Sequence, residues 1–176
     1  MKKATVKAVV LDKLNNAPVV ILGIEGTNKI LPIWIGACEA SVLALMLENA
    51  DFERPLTHDL MINIIEGLEA KVERVYINKI ENNTFFARVI LKDLTIPEEE
   101  EEGHYIEFDA RPSDAIILAL KTSSPIYVSN ELVNTHTVNF EGEKFDDEDE
   151  EFKKFVENLD IEEFKRRFKK GSQGDN

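Results

Sequence analysis

The chain has 176 residues, 43% hydrophobic and 31% charged, with a formal net charge of −13. One core can be buried at this length, and no apolar run reaches the roughly 18 residues of a membrane span. The acidic balance argues against a broad nucleic-acid-binding surface, since basic patches supply most non-specific affinity. A single cysteine, Cys38, excludes an internal disulfide, and we expect a cytoplasmic protein.

Three strand-like segments come first. Residues 4–12 alternate in polarity, PVVILGI (18–24) is β-branched, and KILPIWI (29–35) follows a polar turn. Their short connections predict an antiparallel meander. After Gly36 the pattern becomes helical and is apolar on nearly every side, which is typical of a helix buried all round.

A connecting segment, residues 53–70, is predicted to form an amphipathic helix with Thr57 as its N-cap. Spacings of three and four residues place five apolar side chains on one stripe: Leu60, Met61, Ile64, Ile65 and Leu68.

The first pattern then recurs about 70 residues later. DAIILAL (114–120) echoes EASVLAL (39–45), and three strand-like segments precede each copy. The sequence thus predicts an α+β fold in which a unit of three antiparallel strands plus a buried helix is used twice. Two such apolar helices favour a homo-oligomer that they hold together. The echo also places Glu39 and Asp114 at equivalent helix starts.

The remainder of the chain is different in composition. Residues 124–129 predict one more short strand, and residues 1–140 are expected to form the α+β domain. Residues 141–176 are predicted to be an acidic linker followed by a C-terminal helical hairpin with narrow apolar stripes. That hairpin would dock on the domain or bind a protein partner.

Three motifs carry the strongest functional signal: LPIWIGACEA (31–40), RPLTHDL (54–60) and DARPSDAIILAL (109–120). In order and spacing they resemble the bifunctional nuclease domain family, over roughly residues 5–135. The resemblance implies an α+β domain, an oligomer, and the capacity of some members to cleave both DNA and RNA. It does not transfer catalytic residues, which have to be argued from the chemistry.

Phosphodiester hydrolysis needs an activated water and neutralisation of the phosphoryl charge, commonly supplied by carboxylate-held divalent ions or by His and Arg. We therefore predict Mg²⁺ or Mn²⁺ bound by Glu39, Asp59 and Asp114. His58 is the candidate acid or base, and Arg54 and Arg111 are the candidate phosphate contacts. Asp109 is a further carboxylate near a motif end.

Each candidate also has an ordinary structural explanation. Glu39 and Asp114 lie in first helical turns, where a carboxylate stabilises the helix dipole. The two arginines could pair with acids, His58 could be a satisfied buried histidine, and Cys38 is expected to be buried. The alternative function is a non-catalytic oligomeric binding module for a small anionic ligand or a protein partner. Nucleotide-loop and thiol chemistries are disfavoured because their motifs are absent.

Overall fold

A computed structural model of the chain describes residues 1–12, 16–49, 53–97, 99 and 103–140. These residues form an α+β fold with an eight-stranded sheet and four helices. No helix among them is long and apolar enough to cross a membrane. The linker and helical hairpin predicted for 141–176 lie outside the described residues, so that part of the prediction stays untested.

The strands in chain order are β1 (Lys2–Leu11), β2 (Pro18–Ile24), β3 (Lys29–Trp34), β4 (Ala70–Glu81), β5 (Thr84–Asp93), β6 (Tyr105–Ala110), β7 (Ile126–Val128) and β8 (Val138–Asn139). The helices are α1 (Ala37–Leu47), α2 (Thr57–Gly67), α3 (Pro112–Thr122) and α4 (Asn130–Thr135).

The sheet has the strand order β6-β5-β4-β7-β1-β2-β3-β8. Within it β1–β3 and β4–β6 are two antiparallel meanders. The order of three strands and a helix therefore occurs twice along the chain, as the sequence pattern indicates. That the two units are one duplicated structure stays a prediction.

Strand β7 joins the two meanders at the centre of the sheet. It pairs antiparallel with β1 and parallel with β4, which makes the sheet mixed. The short strand expected at 124–129 is thus confirmed, whereas α4 and β8 were not expected. Helix α4 has only six residues, and its N-cap is Ser129, whose hydroxyl accepts a hydrogen bond from the Leu132 N–H at 3.2 Å.

The main core lies between the sheet and its helices, and α3 forms its centre. Seven of the eleven residues of α3 are buried: Pro112, Ser113, Ala115, Ile116, Ile117, Leu118 and Ala119. The expectation of a helix buried all round is therefore correct for α3. These side chains fill the chain's own core, so they give no reason for a subunit interface.

For α1 the same expectation is wrong within the single chain. Only Ala40 and Leu43 are buried, because α1 packs on α3 and on β1 and β2 with one side and faces solvent with the other. An all-round apolar pattern on α1 therefore leaves apolar surface exposed.

Helix α2 also differs from expectation. Its buried side is centred on His58, with Ile62 and Ile65 packed against the core, while most of the predicted apolar stripe is exposed. The N-cap is Leu56 and not Thr57, because the Asp59 carboxylate accepts a hydrogen bond from the Leu56 N–H at 2.8 Å. An acid in the first turn thus does the capping that we expected of the threonine hydroxyl.

Candidate functional site

The first turns of α1, α2 and α3 meet at one cleft of about 880 Å³. Its polar end is lined by Glu39, His58, Arg111 and Asp114, one from each of the first two helices and two from the start of α3. Four of the predicted site residues, from three separate motifs, therefore come together in space. We call these four side chains the polar cluster.

Arg111 is the centre of the polar cluster. Its Nε lies 2.7 Å from Asp114 Oδ2, and its Nη2 lies 3.0 Å from Asp114 Oδ1 and 2.8 Å from Glu39 Oε1. These contacts with Asp114 and Glu39 outweigh partial burial and hold the pKa of Arg111 above its ordinary value. One guanidinium thus joins the two acids that the repeat places at equivalent helix starts.

His58 completes the polar cluster from α2. Its Nε2 lies 3.1 Å from Asp114 Oδ1, and the histidine is only 8% exposed. Burial raises the pKa of the Asp114 carboxyl, but the hydrogen bonds from Arg111 and His58 outweigh burial, so the pKa lies below the ordinary value of 3.8. Asp114 is therefore held as an anion that orients the imidazole.

Asp59, next to His58, faces a different partner. Its Oδ1 lies 2.6 Å from Lys121 Nζ on α3, while its Oδ2 caps α2 at Leu56. Burial raises the pKa of Asp59, but these hydrogen bonds outweigh burial and lower it below 3.8. The ion pair ties the start of α2 to the last turn of α3, which fixes the helix that presents His58 to Asp114.

Three other residues noted in the sequence stand apart from the polar cluster. Arg54 is exposed before α2 and takes no part in the cluster's hydrogen bonds. Asp109 lines the cleft but lies on β6, with Oδ1 3.8 Å from Arg88 Nε. Cys38 is exposed at the cleft wall, so the expectation that it is buried is wrong.

Each of the three predicted metal ligands is paired with a cationic side chain of the chain. Within the described ranges, no three His, Cys, Asp or Glu side chains lie close enough together to hold one. The Arg111 guanidinium lies between Glu39 and Asp114, and Asp59 is turned towards Lys121. The ligand set Glu39, Asp59 and Asp114 therefore remains a prediction.

Charge at this end of the cleft is nearly balanced. The polar cluster has one cation, Arg111, and two carboxylates, Glu39 and Asp114, which leaves a net charge of −1 while His58 is neutral. Such a group does not by itself attract a phosphate. Protonation of His58 or a bound cation would be needed to make it neutral or positive.

Sequence reasoning missed two residues that position the polar cluster. Lys121 is one of them. The sequence indicated only that it belongs to the helix of the second copy, because its partner Asp59 is 62 residues away. Gly36 is the other, because a Cβ at this position would overlap with Glu39 Oε2. The signal for Gly36 was present, since glycine stands at the N-cap position that Arg111 occupies in the second copy.

Comparison with known proteins agrees with the motifs. The family model of the bifunctional nuclease domain matches residues 20–141. An uncharacterized protein of Mycobacterium tuberculosis strain H37Rv is 30% identical over 173 residues, which cover 94% of this chain and 99% of that protein. Bifunctional nuclease 1 of Arabidopsis thaliana is 28% identical and bifunctional nuclease 2 of Oryza sativa subsp. japonica 30% identical, each over 116 residues. Those cover 65% of this chain and 34% of each plant protein.

Proposed function

This chain belongs to the bifunctional nuclease domain family, and from that membership we propose that it hydrolyses phosphodiester bonds in DNA and RNA with low sequence preference. Plant relatives named bifunctional nuclease support the class of reaction. The polar cluster supports assigning this activity to particular residues. Three motifs that are far apart in sequence supply its side chains, which form one hydrogen-bonded group at a cleft.

In this proposal His58 is the general base. A histidine held by a carboxylate is oriented in one tautomer, and its imidazolium is stabilised when it takes a proton. Asp114 would be that carboxylate, 3.1 Å from Nε2. The other ring nitrogen, Nδ1, would then receive the proton of the attacking water.

Arg111 supplies the contact with the substrate phosphate. Its side chain is 65% exposed although it is bonded to two acids. Its hydrogen bonds to Asp114 and Glu39 use Nε and Nη2, so the Nη1 donors of this five-donor group are the ones that would face a phosphoryl oxygen. Arg54, exposed three residues before α2, stays a second candidate for this contact.

Dependence on Mg²⁺ or Mn²⁺ is a separate part of the proposal. The net negative charge of this end of the cleft gives it a physical reason, because a phosphate would approach more readily once a cation is bound. Because Glu39, Asp59 and Asp114 are each paired with a cation in this structure, the metal requirement is measured separately from the hydrolysis.

The test is hydrolysis of fluorescent single-stranded DNA and RNA in Mg²⁺, in Mn²⁺ and in EDTA. Wild type is compared with His58→Gln and Asp114→Asn, all purified identically. Glu107→Gln is the matched control, because Glu107 is an exposed acid on β6 whose carboxylate lies 3.4 Å from Arg88 Nε on β5. We expect a loss of roughly a hundredfold or more in the two cluster variants, typical of a lost acid–base residue, and wild-type activity in the control.

The outcomes separate the parts of the proposal. Equal activity in all four preparations would indicate a contaminating nuclease and contradict the site assignment. Activity that persists in EDTA but is lost in Asp114→Asn would support the assignment of the site and contradict the proposed dependence on a metal ion. Absence of activity in every condition would contradict the nuclease proposal.

One observation favours the second candidate function, a non-catalytic binding module. The charges of the polar cluster already satisfy one another, and the rest of the cleft is largely apolar. Native mass spectrometry would show a bound small anion or protein partner in the purified protein, together with no hydrolysis in the assay above.

A further inference from the structure

A second pocket, of about 440 Å³, adjoins the cleft at Arg111, which lines both. Its other lining residues come from the end of β3 and the loop that follows it, from the tip of the β4–β5 hairpin, and from the first turn of α3. The volume is within the range of about 300–1,000 Å³ that is usual for small-molecule sites. We call this space the side pocket. Arg111 is the one member of the polar cluster that lines it, so the proposed chemistry does not account for the side pocket.

Much of the side pocket is apolar. Phe85 pairs with Ile80 across the β4–β5 hairpin, and both side chains pack against the main core. Ile35, which also packs on that core, and Pro112, the first residue of α3, are further apolar residues of the lining. A flat apolar group suits this surface, because it leaves water and stacks on the Phe85 ring.

Ser113 places a hydrogen-bonding group in the side pocket. The residue is only 5% exposed, and among the described residues its hydroxyl takes part in no hydrogen bond. Buried polar groups nearly always have a partner, so this hydroxyl is available to a molecule that fills the pocket that Ser113 lines. Asn83 and Thr84 add an amide and a second hydroxyl where the hairpin tip is exposed. An apolar lining with a few polar groups is typical of a ligand site.

Charge is confined to the border between the side pocket and the cleft. Among the described residues that line the side pocket, Arg111 alone is charged. The group held inside is therefore expected to be neutral, and an anion joined to it would lie at the guanidinium. A nucleotide combines these two parts, a flat neutral base with polar edges and a phosphate. Because hydroxyls and amides both donate and accept hydrogen bonds, Ser113 and Asn83 suit bases with either kind of edge.

We propose that the side pocket holds one unpaired base of the nucleic acid whose phosphate contacts Arg111, an inference that rests on the proposed function. The base stacks on Phe85 and forms a hydrogen bond with Ser113. In a duplex the same base is paired at its edge and stacked on both faces, so it enters the pocket only after it leaves the double helix, which costs free energy. The site therefore selects single-stranded DNA and RNA over duplexes, with little preference among bases.

Titration calorimetry with thymidine 5′-monophosphate tests the inference without cleavage, because this compound has no phosphodiester bond. In buffer containing Mg²⁺, its dissociation constant should be roughly tenfold or more below that of deoxyribose 5-phosphate, the gain expected from one stacked base. Trp34 is the chain's single tryptophan and lines the side pocket, so its fluorescence should change only with the monophosphate. Equal affinities for the two compounds, or no binding of either, would overturn the inference.

Two conservative variants assign the base to the side pocket. Phe85→Leu should weaken binding of the monophosphate roughly tenfold and Ser113→Ala roughly fivefold, while the affinity for deoxyribose 5-phosphate stays unchanged. Phe86→Leu is the matched control, because Phe86 is the next residue of β5, faces away from Phe85, and has its ring centroid 4.9 Å from Lys79 Nζ. Circular dichroism checks that each variant is folded. Unchanged affinity in both pocket variants, or an equal loss in Phe86→Leu, would contradict the assignment.

Strand preference separates this inference from the proposed function. A labelled single strand should be cleaved roughly tenfold or more faster than the same strand in a duplex, and replacing one base by an abasic residue should slow cleavage of the adjoining bonds. Equal cleavage of all three substrates would overturn the inference and leave the proposed function intact. Binding of the monophosphate at the side pocket without any hydrolysis would support the base site and contradict the proposed function.

Discussion

Helices α1 and α3 begin with the same arrangement, an acid three residues after the N-cap, but their surroundings differ. Glu39 follows Gly36 and Asp114 follows Arg111. Helix α3 lies at the centre of the core, whereas α1 has one side in solvent. Both acids nevertheless bind the same Arg111 guanidinium.

One cation, Arg111, therefore pairs with the acids in the first turns of two helices. The arginine at the second N-cap reaches both carboxylates, and the glycine at the first leaves room for the Glu39 side chain to fold back towards it. A buried helix holds Asp114 in place, and a half-exposed helix brings Glu39 to it.

The largest effect is expected from the core contacts that distinguish the two helices. Ile117 and Val42 occupy equivalent positions in the repeat, but Ile117 is fully buried while Val42 is only partly so. Ile117→Ala should lower the free energy of unfolding by about 2–5 kcal/mol, and Val42→Ala by clearly less. Urea denaturation of both variants measures the difference, and equal losses would mean that the two helices are buried alike.

The next effect concerns the Asp59–Lys121 ion pair. Lys121→Gln should lower the free energy of unfolding by about 1–2 kcal/mol, because a partly buried charged hydrogen bond is lost. If Asp59 positions α2, Lys121→Gln and Asp59→Asn should reduce activity to a similar extent. If Asp59 is instead a metal ligand, only Asp59→Asn should weaken activity, and it should also raise the metal concentration needed for half-maximal rate.

The pH dependence of stability tests the state of Asp114. Its pKa is lower in the folded protein than its ordinary 3.8, so folding favours the deprotonated form. The stabilisation from ionised Asp114 is fully present above the ordinary pKa, and it is lost as the pH falls through the lower pKa of the folded protein. Asp114→Asn should thus have a lower free energy of unfolding than wild type at pH 7. This difference between the two proteins should narrow below about pH 4, by at most about 1.4 kcal/mol per pH unit. A gap independent of pH in urea denaturation would contradict the ion pair.

Gly36→Ala should have the smallest effect on stability and a selective effect on the cluster. The backbone at Gly36 has φ −71° and ψ 154°, which alanine adopts freely, so the cost should stay below about 1 kcal/mol. The new Cβ would displace the end of the Glu39 side chain from Arg111. Reduced hydrolysis with unchanged thermal stability is the expected result, and unchanged hydrolysis would show that Glu39 is dispensable.

Much of the fold was accessible from local pattern. Alternation and β-branched runs predicted β1 to β6, and the repeat predicted the helices that follow β3 and β6. Helix α4 and the two-residue β8 are too short for any periodicity to indicate them. The central position of β7 depends on pairing with β1 and β4, which lie far away in sequence.

The sequence indicated the residues of the polar cluster, together with Asp59 and Arg54, but not the contacts among them. The motifs indicated Glu39, His58, Arg111 and Asp114, yet the Arg111–Glu39 contact spans 72 residues and arises only because α1 packs on α3. The exposed side of α2 was unpredictable for a related reason. Its hydrophobic stripe resembles a core face, but the turn at Leu56 directs His58 inward instead.

The most direct test of the central claim compares two arginines that each pair with two acids. Arg111 joins Glu39 and Asp114 in the cleft, and Arg88 lies beside Glu107 and Asp109 on the sheet. Cleavage of labelled single-stranded DNA and RNA by Arg111→Gln should fall roughly a hundredfold or more, while Arg88→Gln should cleave like wild type. Equal rates for the two variants would contradict the assignment of the polar cluster as the site of hydrolysis.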